Sequence, residues 1–74
     1  MDWKNHIDAN PNVQLGKPVI KGTRISVELL LDVLAQGWSM EDILSSYPHL
    51  TREDVLAAIG IASEVFKKAT AVNQ

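Results

Sequence analysis

Three helix-start signals follow one another after residue 25, and they constrain the fold of this chain more than any other feature. Ser26, Ser39 and Thr51 each precede a run with helical apolar spacing, and an aspartate follows both Ser39 and Thr51 three residues later. A hydroxyl at the N-cap and a carboxylate three residues on can bond backbone N–H groups that a helix leaves unpaired. The pattern predicts three helices, at Val27 to Gln36, Met40 to Ser46 and Arg52 to Lys68.

The first predicted helix is apolar around most of its circumference. Its polar stripe consists of Glu28, Asp32 and Gln36, which is narrower than the polar face of a helix that packs on one side only. We therefore expect a partner to contact part of this surface. The candidate contact residues on this helix are Leu29, Leu30 and Val33.

The third predicted helix carries two kinds of apolar position. A stripe at helical spacing is expected to face the core, and it consists of Val55, Ile59, Ala62 and Phe66. Small residues occupy the middle of the helix, where Gly60 costs roughly 1 kcal/mol of helix stability relative to alanine. They either allow close approach of a second copy or another protein, or they simply fit against the first helix. The candidate contact residues on this helix are Ala57, Gly60, Ile61 and Glu64.

The residues before the first helix form a different region, rich in Asn, Gly, Pro and Lys. Ile7 and the pair Val19-Ile20 predict one or two short strands that pair with each other, and Trp3 is expected to pack this arm onto the helices. The expected fold class is mainly α: a three-helix, helix-turn-helix-like bundle preceded by a short N-terminal β element. We expect one domain over residues 1–74, with a basic arm at 1–25, the bundle at 26–68 and a frayed tail at 69–74.

Charge is distributed unevenly along the chain, although the formal net charge is only -2. Lys17, Lys21 and Arg24 make the arm basic, whereas residues 27–66 hold seven carboxylates and a single arginine, Arg52, for a net charge of -6. The arm cations have three candidate roles: contacts with nucleic acid, contacts with an acidic partner protein, or a structural joint in which Arg24 pairs with carboxylates of the first helix.

The third helix is poorly suited to read DNA bases, although the outline resembles a helix-turn-helix. It begins with Arg52 but continues with Glu53, Asp54 and then apolar residues. A helix in the major groove needs donors for base edges and several cations for phosphates. The candidate nucleic-acid-binding residues are therefore mainly those of the arm: Lys17, Lys21, Arg24 and, outside it, Arg52.

The sequence lacks the spacing of a catalytic, metal or nucleotide-binding motif. It has no cysteine and two histidines, His6 and His49, and its glycines match no phosphate-binding pattern. We therefore expect a non-enzymatic protein with no catalytic residue, no metal and no cofactor. No apolar run is long enough to span a bilayer, and the N-terminus has no features of a secretory leader, so the expected location is the cytoplasm.

Three stretches of the sequence together resemble a known family. The run GKPVIKGTRISV begins at Gly16, the block YPHLTREDVLAAI begins at Tyr47, and a G-x-S/T-x-E-D-I-L stretch lies between them at Gly37 to Leu44. These blocks resemble the small prokaryotic family called domain of unknown function 433, over about Ile7 to Glu64. The second basic position of the first block, usually arginine in that family, is Lys21 here, which keeps the charge but not the bidentate geometry of a guanidinium.

That resemblance implies a helix-turn-helix-like domain with a short β element, often dimeric. It also implies a function, because members are regarded as antitoxins that bind a neighbouring nuclease-type toxin with a PIN-like fold and repress their own promoter as a complex. We foremost expect an antitoxin-like homodimer whose acidic helices bind the toxin. The alternatives are a dimeric DNA-binding regulator that uses the basic arm, and a dimerisation module with no further ligand. A toxin-wrapping tail after the third helix could consist only of residues 69–74.

Overall fold

Three α-helices follow a two-stranded sheet in the computed structural model of the chain, which describes residues 3–8 and 17–69. A 3-10 helix at Trp3–Asn5 leads into β1 at Ile7–Asp8, which pairs antiparallel with β2 at Val19–Ile20. The helices are α1 at Val27–Ala35, α2 at Met40–Ser46 and α3 at Arg52–Ala69. The predicted fold class, mainly α with a short N-terminal β element, is confirmed. Apart from Ala69, which ends α3, the predicted tail lies outside the described residues.

The helices begin at the hydroxyl residues that the sequence indicated. The hydroxyl of Ser26 accepts a hydrogen bond from a backbone N–H of the first turn of α1 at 3.0 Å. Ser39 and Asp42 form a capping box, in which each side chain accepts a bond from the other residue's backbone N–H, at 3.0 and 2.8 Å. Thr51 and Asp54 form the same pair of bonds, at 3.2 and 3.0 Å. The three predicted starts are confirmed, and the ends of α1 and α3 differ from prediction by one residue.

A tight turn joins β2 to α1 and carries the basic residues Lys21 and Arg24. Gly22 adopts a φ of 81°, a conformation that residues with side chains rarely take. The hydroxyl of Thr23 donates to the carbonyl of Ile20 at 2.8 Å, and it accepts a backbone N–H from the far side of the turn at 3.0 Å. The turn is therefore a structural joint fixed by its backbone and by Thr23, while Lys21 and Arg24 are exposed on it.

One face of α3 is the centre of the core, because the 3-10 helix, β1, α1 and α2 all pack against that helix. Residues of both strands and all three helices are buried together, among them Ile7, Ile20, Leu30, Ile43 and Val55. Trp3 packs against this core, as predicted, and its indole N–H donates to the carboxylate of Glu64 on α3. The described part of the arm is therefore an integral part of the fold.

The core stripe predicted for α3 is wrong in its phase. Val55 is buried as predicted, but Ile59 is 42% exposed and Phe66 is 70% exposed. The buried positions in the middle of the helix are instead Ala57, Ala58 and Ile61. Several elements cover this face, and short alanine side chains let their backbones approach α3 closely. The two alanines therefore fit the fold of the chain itself, which was one of the two alternatives for the small residues.

Alanine substitutions at two glycines should change stability in opposite directions. Gly37 has a φ of 98° just after α1, whereas Gly60 is helical, and a Cβ at either position would meet no atom within 4 Å. Gly37→Ala should lower the free energy of unfolding by about 1–2 kcal/mol, the cost of a left-handed residue. Gly60→Ala should raise it by about 1 kcal/mol. Urea titrations followed by circular dichroism measure both, and shifts of the same sign would contradict these backbone assignments.

Candidate functional site

An apolar groove lies between α1 and the C-terminal half of α3, with a volume of about 380 Å³. Val27 and Ile61 are buried at its base, and Val65 and Phe66 form an exposed edge, at 62% and 70% exposure. The lining residues are Lys17, Pro18, Val27, Glu28, Leu31, Ile61, Ala62, Val65 and Phe66. Exposed apolar side chains gathered around a groove are typical of a binding surface.

The groove exists because α3 is longer than the elements that pack against it. α3 has 18 residues and α1 has 9, which correspond to about 27 and 14 Å of helix. Val65 follows Ile61 by one helical turn and Ala58 by two turns, so it lies on the same face of α3 as these two core residues. The core-facing stripe of α3 therefore continues past the point where the described residues cover it.

Charged side chains border the groove on the α1 side. Lys17 Nζ lies 3.5 Å from Glu28 Oε1, and both side chains are largely exposed. Such an exposed pair contributes little stability, so both groups remain available to a partner. Asp32 lies one turn further along α1 and is also exposed. This edge of the groove therefore carries one cation and one carboxylate, and Asp32 adds a second carboxylate on α1 outside the lining.

The interface residues predicted from the sequence differ in burial: some lie in the core and others on the surface. Leu30, Val33 and Ala57 are buried in the core and present no surface to a partner. Ile61 lies at the base of the groove, and Leu29 is 37% exposed on α1. The remaining two, at least partly exposed on α3, are Gly60 and Glu64.

Two residues of the groove edge were not predicted as contacts. The core stripe predicted for α3 begins with Val55 and Ile59. That spacing assigns Phe66 to the core and does not include Val65. The signal for Val65 is its position one turn after Ile61, at the spacing of a single helix face. Recognising it requires knowing that Ile61 is buried, and only the packed fold shows that.

The four basic residues proposed for nucleic-acid contacts are distributed over three places. Lys17 lies at the groove, Lys21 and Arg24 lie on the turn after β2, and Arg52 is the first residue of α3. The extended residues 18–20 separate Lys17 from that turn by about 10 Å. All four side chains are exposed. Of these residues, Lys21 and Arg24 lie on the same turn, and Lys17 and Arg52 lie elsewhere.

A hydrogen bond between the arm and α3 joins distant parts of the chain. His6 Nδ1 lies 2.9 Å from Asp54 Oδ1, and the other carboxylate oxygen of Asp54 accepts the backbone N–H of Thr51 at 3.0 Å. Partial burial by itself would raise the pKa of Asp54, but the hydrogen bonds from Thr51 and His6 outweigh it and hold the pKa below its ordinary value. Asp54 is therefore ionised at neutral pH, where it caps α3 and holds the arm at the same time.

The groove is lined mostly by apolar side chains. Of its lining residues, Lys17 and Glu28 carry ionisable groups, and these two pair with each other at one edge. Within residues 3–8 and 17–69, no group of three or more histidine and carboxylate side chains could hold a metal ion. In the same two ranges, no helix is long and apolar enough to cross a membrane.

Comparisons with known proteins show what this chain is similar to. A family model described as "Protein of unknown function (DUF433)" matches residues 7–61. A solved structure, the crystal structure of a DUF433 member protein from Anabaena variabilis ATCC 29413 at 2.00 Å resolution, is similar with a TM-score of 0.80 and 34% sequence identity. The similarity covers 88% of this chain and 64% of that chain, so this chain spans less than two thirds of its length. No curated protein matches the chain.

Asp54→Asn should weaken the connection between the arm and α3. An uncharged amide accepts the N–H of Thr51 less strongly, so we expect a loss of about 1–2 kcal/mol in the free energy of unfolding at neutral pH. Because folding lowers the pKa of Asp54, its contribution is present above the ordinary value of 3.8 and is lost as the pH falls through the lower, folded value.

Urea titrations of Asp54→Asn at neutral and acidic pH measure this contribution. The difference between the wild type and the variant should shrink once the pH falls below 3.8. Glu53→Gln, at the exposed neighbouring carboxylate, is the matched control and should change stability much less. An equal effect of the two substitutions, or a difference that does not depend on pH, would contradict the assigned role of Asp54.

Proposed function

The chain belongs to the DUF433 family of proteins of unknown function, and we propose that it is an antitoxin-like protein without enzymatic activity. In this proposal it acts in the cytoplasm, where it binds and neutralises a nuclease-type toxin with a PIN-like fold. The observation that carries the proposal is the apolar groove, whose α3 wall continues the core face of that helix and is not covered by residues 3–8 and 17–69. A protein partner can complete such a face by burying it.

The composition of the groove favours a protein segment over a small polar ligand. Small-molecule sites set a few converging polar groups against an apolar wall, whereas Lys17 and Glu28 lie at one edge here and pair with each other. A partner helix or loop can insert apolar side chains between Leu31 and Val65. Each Å² of apolar surface that such a contact removes from water contributes about 25 cal/mol.

The charge of the helices favours a basic partner. Residues 27–66 carry a net charge of -6, and one of these carboxylates, Glu28, lines the groove on α1. A nuclease surface that binds RNA is basic because it must contact phosphates, so acidic helices complement it. In the proposed mechanism, the chain covers that surface and thereby excludes RNA from the toxin.

Inhibition of a purified nuclease tests this function directly. The probe is a purified nuclease with a PIN-like fold, the class of toxin proposed here, incubated with fluorescently labelled single-stranded RNA. We expect one equivalent of the chain to suppress cleavage, and the two proteins to elute together in gel filtration. Undiminished cleavage in the presence of excess chain, together with separate elution, would overturn the proposed function.

Val65→Glu should weaken neutralisation while leaving the fold intact. Val65 is 62% exposed, so a charge there costs little folding free energy, but a partner that covers the groove would have to bury it. We expect the affinity for the toxin to fall by at least about tenfold, which is about 1.4 kcal/mol. Isothermal titration calorimetry measures this change.

Ser45→Glu is the control for Val65→Glu. It adds the same charge at an exposed position of α2 that does not line the groove, so we expect it to bind the toxin like the wild type. Equal losses in the two variants would mean that net charge, rather than the groove, determines binding, and would contradict the assignment of this surface.

Exposed cations on the turn between β2 and α1 support a second candidate function, the binding of promoter DNA by a dimer. Lys21 and Arg24 are exposed on a turn that the hydrogen bonds of Thr23 hold in place. A fixed basic turn can contact phosphates or reach into a minor groove. Because the first turn of α3 carries Glu53 and Asp54, this function would use the turn instead of α3.

Promoter binding by the basic turn should depend on salt and on Lys21. Affinity should fall as the salt concentration rises, since each phosphate contact releases counterions. Lys21→Ala should reduce the slope of log affinity against log salt by about one, whereas Lys68→Ala, at the other end of the chain, should not. Fluorescence anisotropy with a labelled promoter fragment measures these slopes, and a lack of binding at low salt would reject this function.

A further inference from the structure

An apolar stripe on α3 extends from the groove onto the outer surface of the helix. Ile59, Ala62 and Phe66 follow one another at intervals of three and four residues, so their side chains lie in one line. Ala62 and Phe66 line the groove, whereas Ile59 lies outside the lining, two helical turns before Phe66. Ile59 is 42% exposed and Phe66 is 70% exposed. The groove and this stripe therefore form one continuous apolar surface, which residues 3–8 and 17–69 cover only in part.

We propose that one amphipathic helix of the toxin binds this continuous surface and packs along α3 as a fourth helix. The inference rests on the proposed function, and it adds which kind of segment the partner uses and how far the contact extends. Leu31 lines the groove from α1, and Phe66 lines it from α3. A helix that lies along α3 can contact both walls with a single apolar face, and the same face reaches Ile59 two turns away.

The backbone beside the groove disfavours an extended strand as the occupant. Pro18 lines the groove, but its nitrogen carries no hydrogen, and its carbonyl accepts the backbone N–H of Val27 at 3.0 Å. In β2, Val19 pairs with Asp8 on one side and with Ser26 on the other. Among the described residues, β2 therefore offers no open edge to which a strand could add at the groove. Side chains must make the contact, as they do between packed helices.

Charges on α1 select a helix with a basic flank. Glu28 lines the groove, and Asp32 lies one turn further along α1, outside the lining; both are exposed. A partner helix with lysine or arginine beside its apolar stripe brings cations near these carboxylates. The toxin fits this requirement, because a nuclease surface that binds RNA is basic. A second copy of the chain fits it poorly at this surface, since residues 27–66 carry a net charge of -6.

Photo-cross-linking of the complex with a purified PIN-like nuclease tests whether the bound segment is a helix. A photoreactive benzoylphenylalanine replaces Ile59 in one variant and Phe66 in another, and mass spectrometry identifies the nuclease residues that each captures. These two positions are seven residues apart, which is about 10.5 Å along a helix. We expect them to capture residues of one nuclease segment that are about seven positions apart. An extended segment spans the same distance in about three residues, so that spacing, or capture of two unrelated segments, would overturn the proposal.

Ile59→Glu measures whether the partner helix reaches beyond the groove. We expect the affinity for the same nuclease to fall by at least about tenfold in isothermal titration calorimetry, because the partner would bury the new charge. Ser45→Glu adds the same charge on α2 and should bind like the wild type, while circular dichroism verifies that each variant is folded. Unchanged affinity of Ile59→Glu would overturn this inference and leave the proposed function in place. Failure of the wild type to form any complex with the nuclease would overturn the proposed function and, with it, this inference.

Discussion

Burial of one face of α3 is the interaction on which the rest of this structure depends. The 3-10 helix, β1, α1 and α2 all pack against that helix, and Ala57 and Ala58 are fully buried between them. Larger side chains at these two positions would force the surrounding elements apart, at a typical cost of about 1–3 kcal/mol. These two alanines are thus required by the central position of α3, whereas Gly60 has open space beside it.

The proposed groove follows from the length of α3. The core face continues beyond α1 into the groove, where Val65 has the spacing of a core residue but the exposure of a surface residue. The opposite face carries Leu56 and Ile59, which are 36% and 42% exposed.

The basic loop before α1 combines a structural role with an exposed charge. Gly22 and Thr23 form the joint between the sheet and the first helix, so these residues are explained by the fold. Lys21 and Arg24 are exposed on that joint, where they can contact a charged partner. At the other end of the arm, His6 and Asp54 hold β1 against the start of α3, and the arm is thereby fixed at both of its described ends.

The sequence by itself determined the positions of the helices and strands, because capping bonds, glycine conformations and β-branched pairs act over a few residues. Ser39 and Asp42, for example, are three residues apart and bond each other directly. Only the tertiary structure decided which face of α3 is buried and how far along it the neighbouring elements reach, so that Ala58 is buried and Val65 is exposed. That choice depends on contacts such as Trp3 with Glu64 and His6 with Asp54, which join residues 61 and 48 positions apart. Such pairings depend on how the chain packs as a whole, and helical periodicity within one segment carries no information about them.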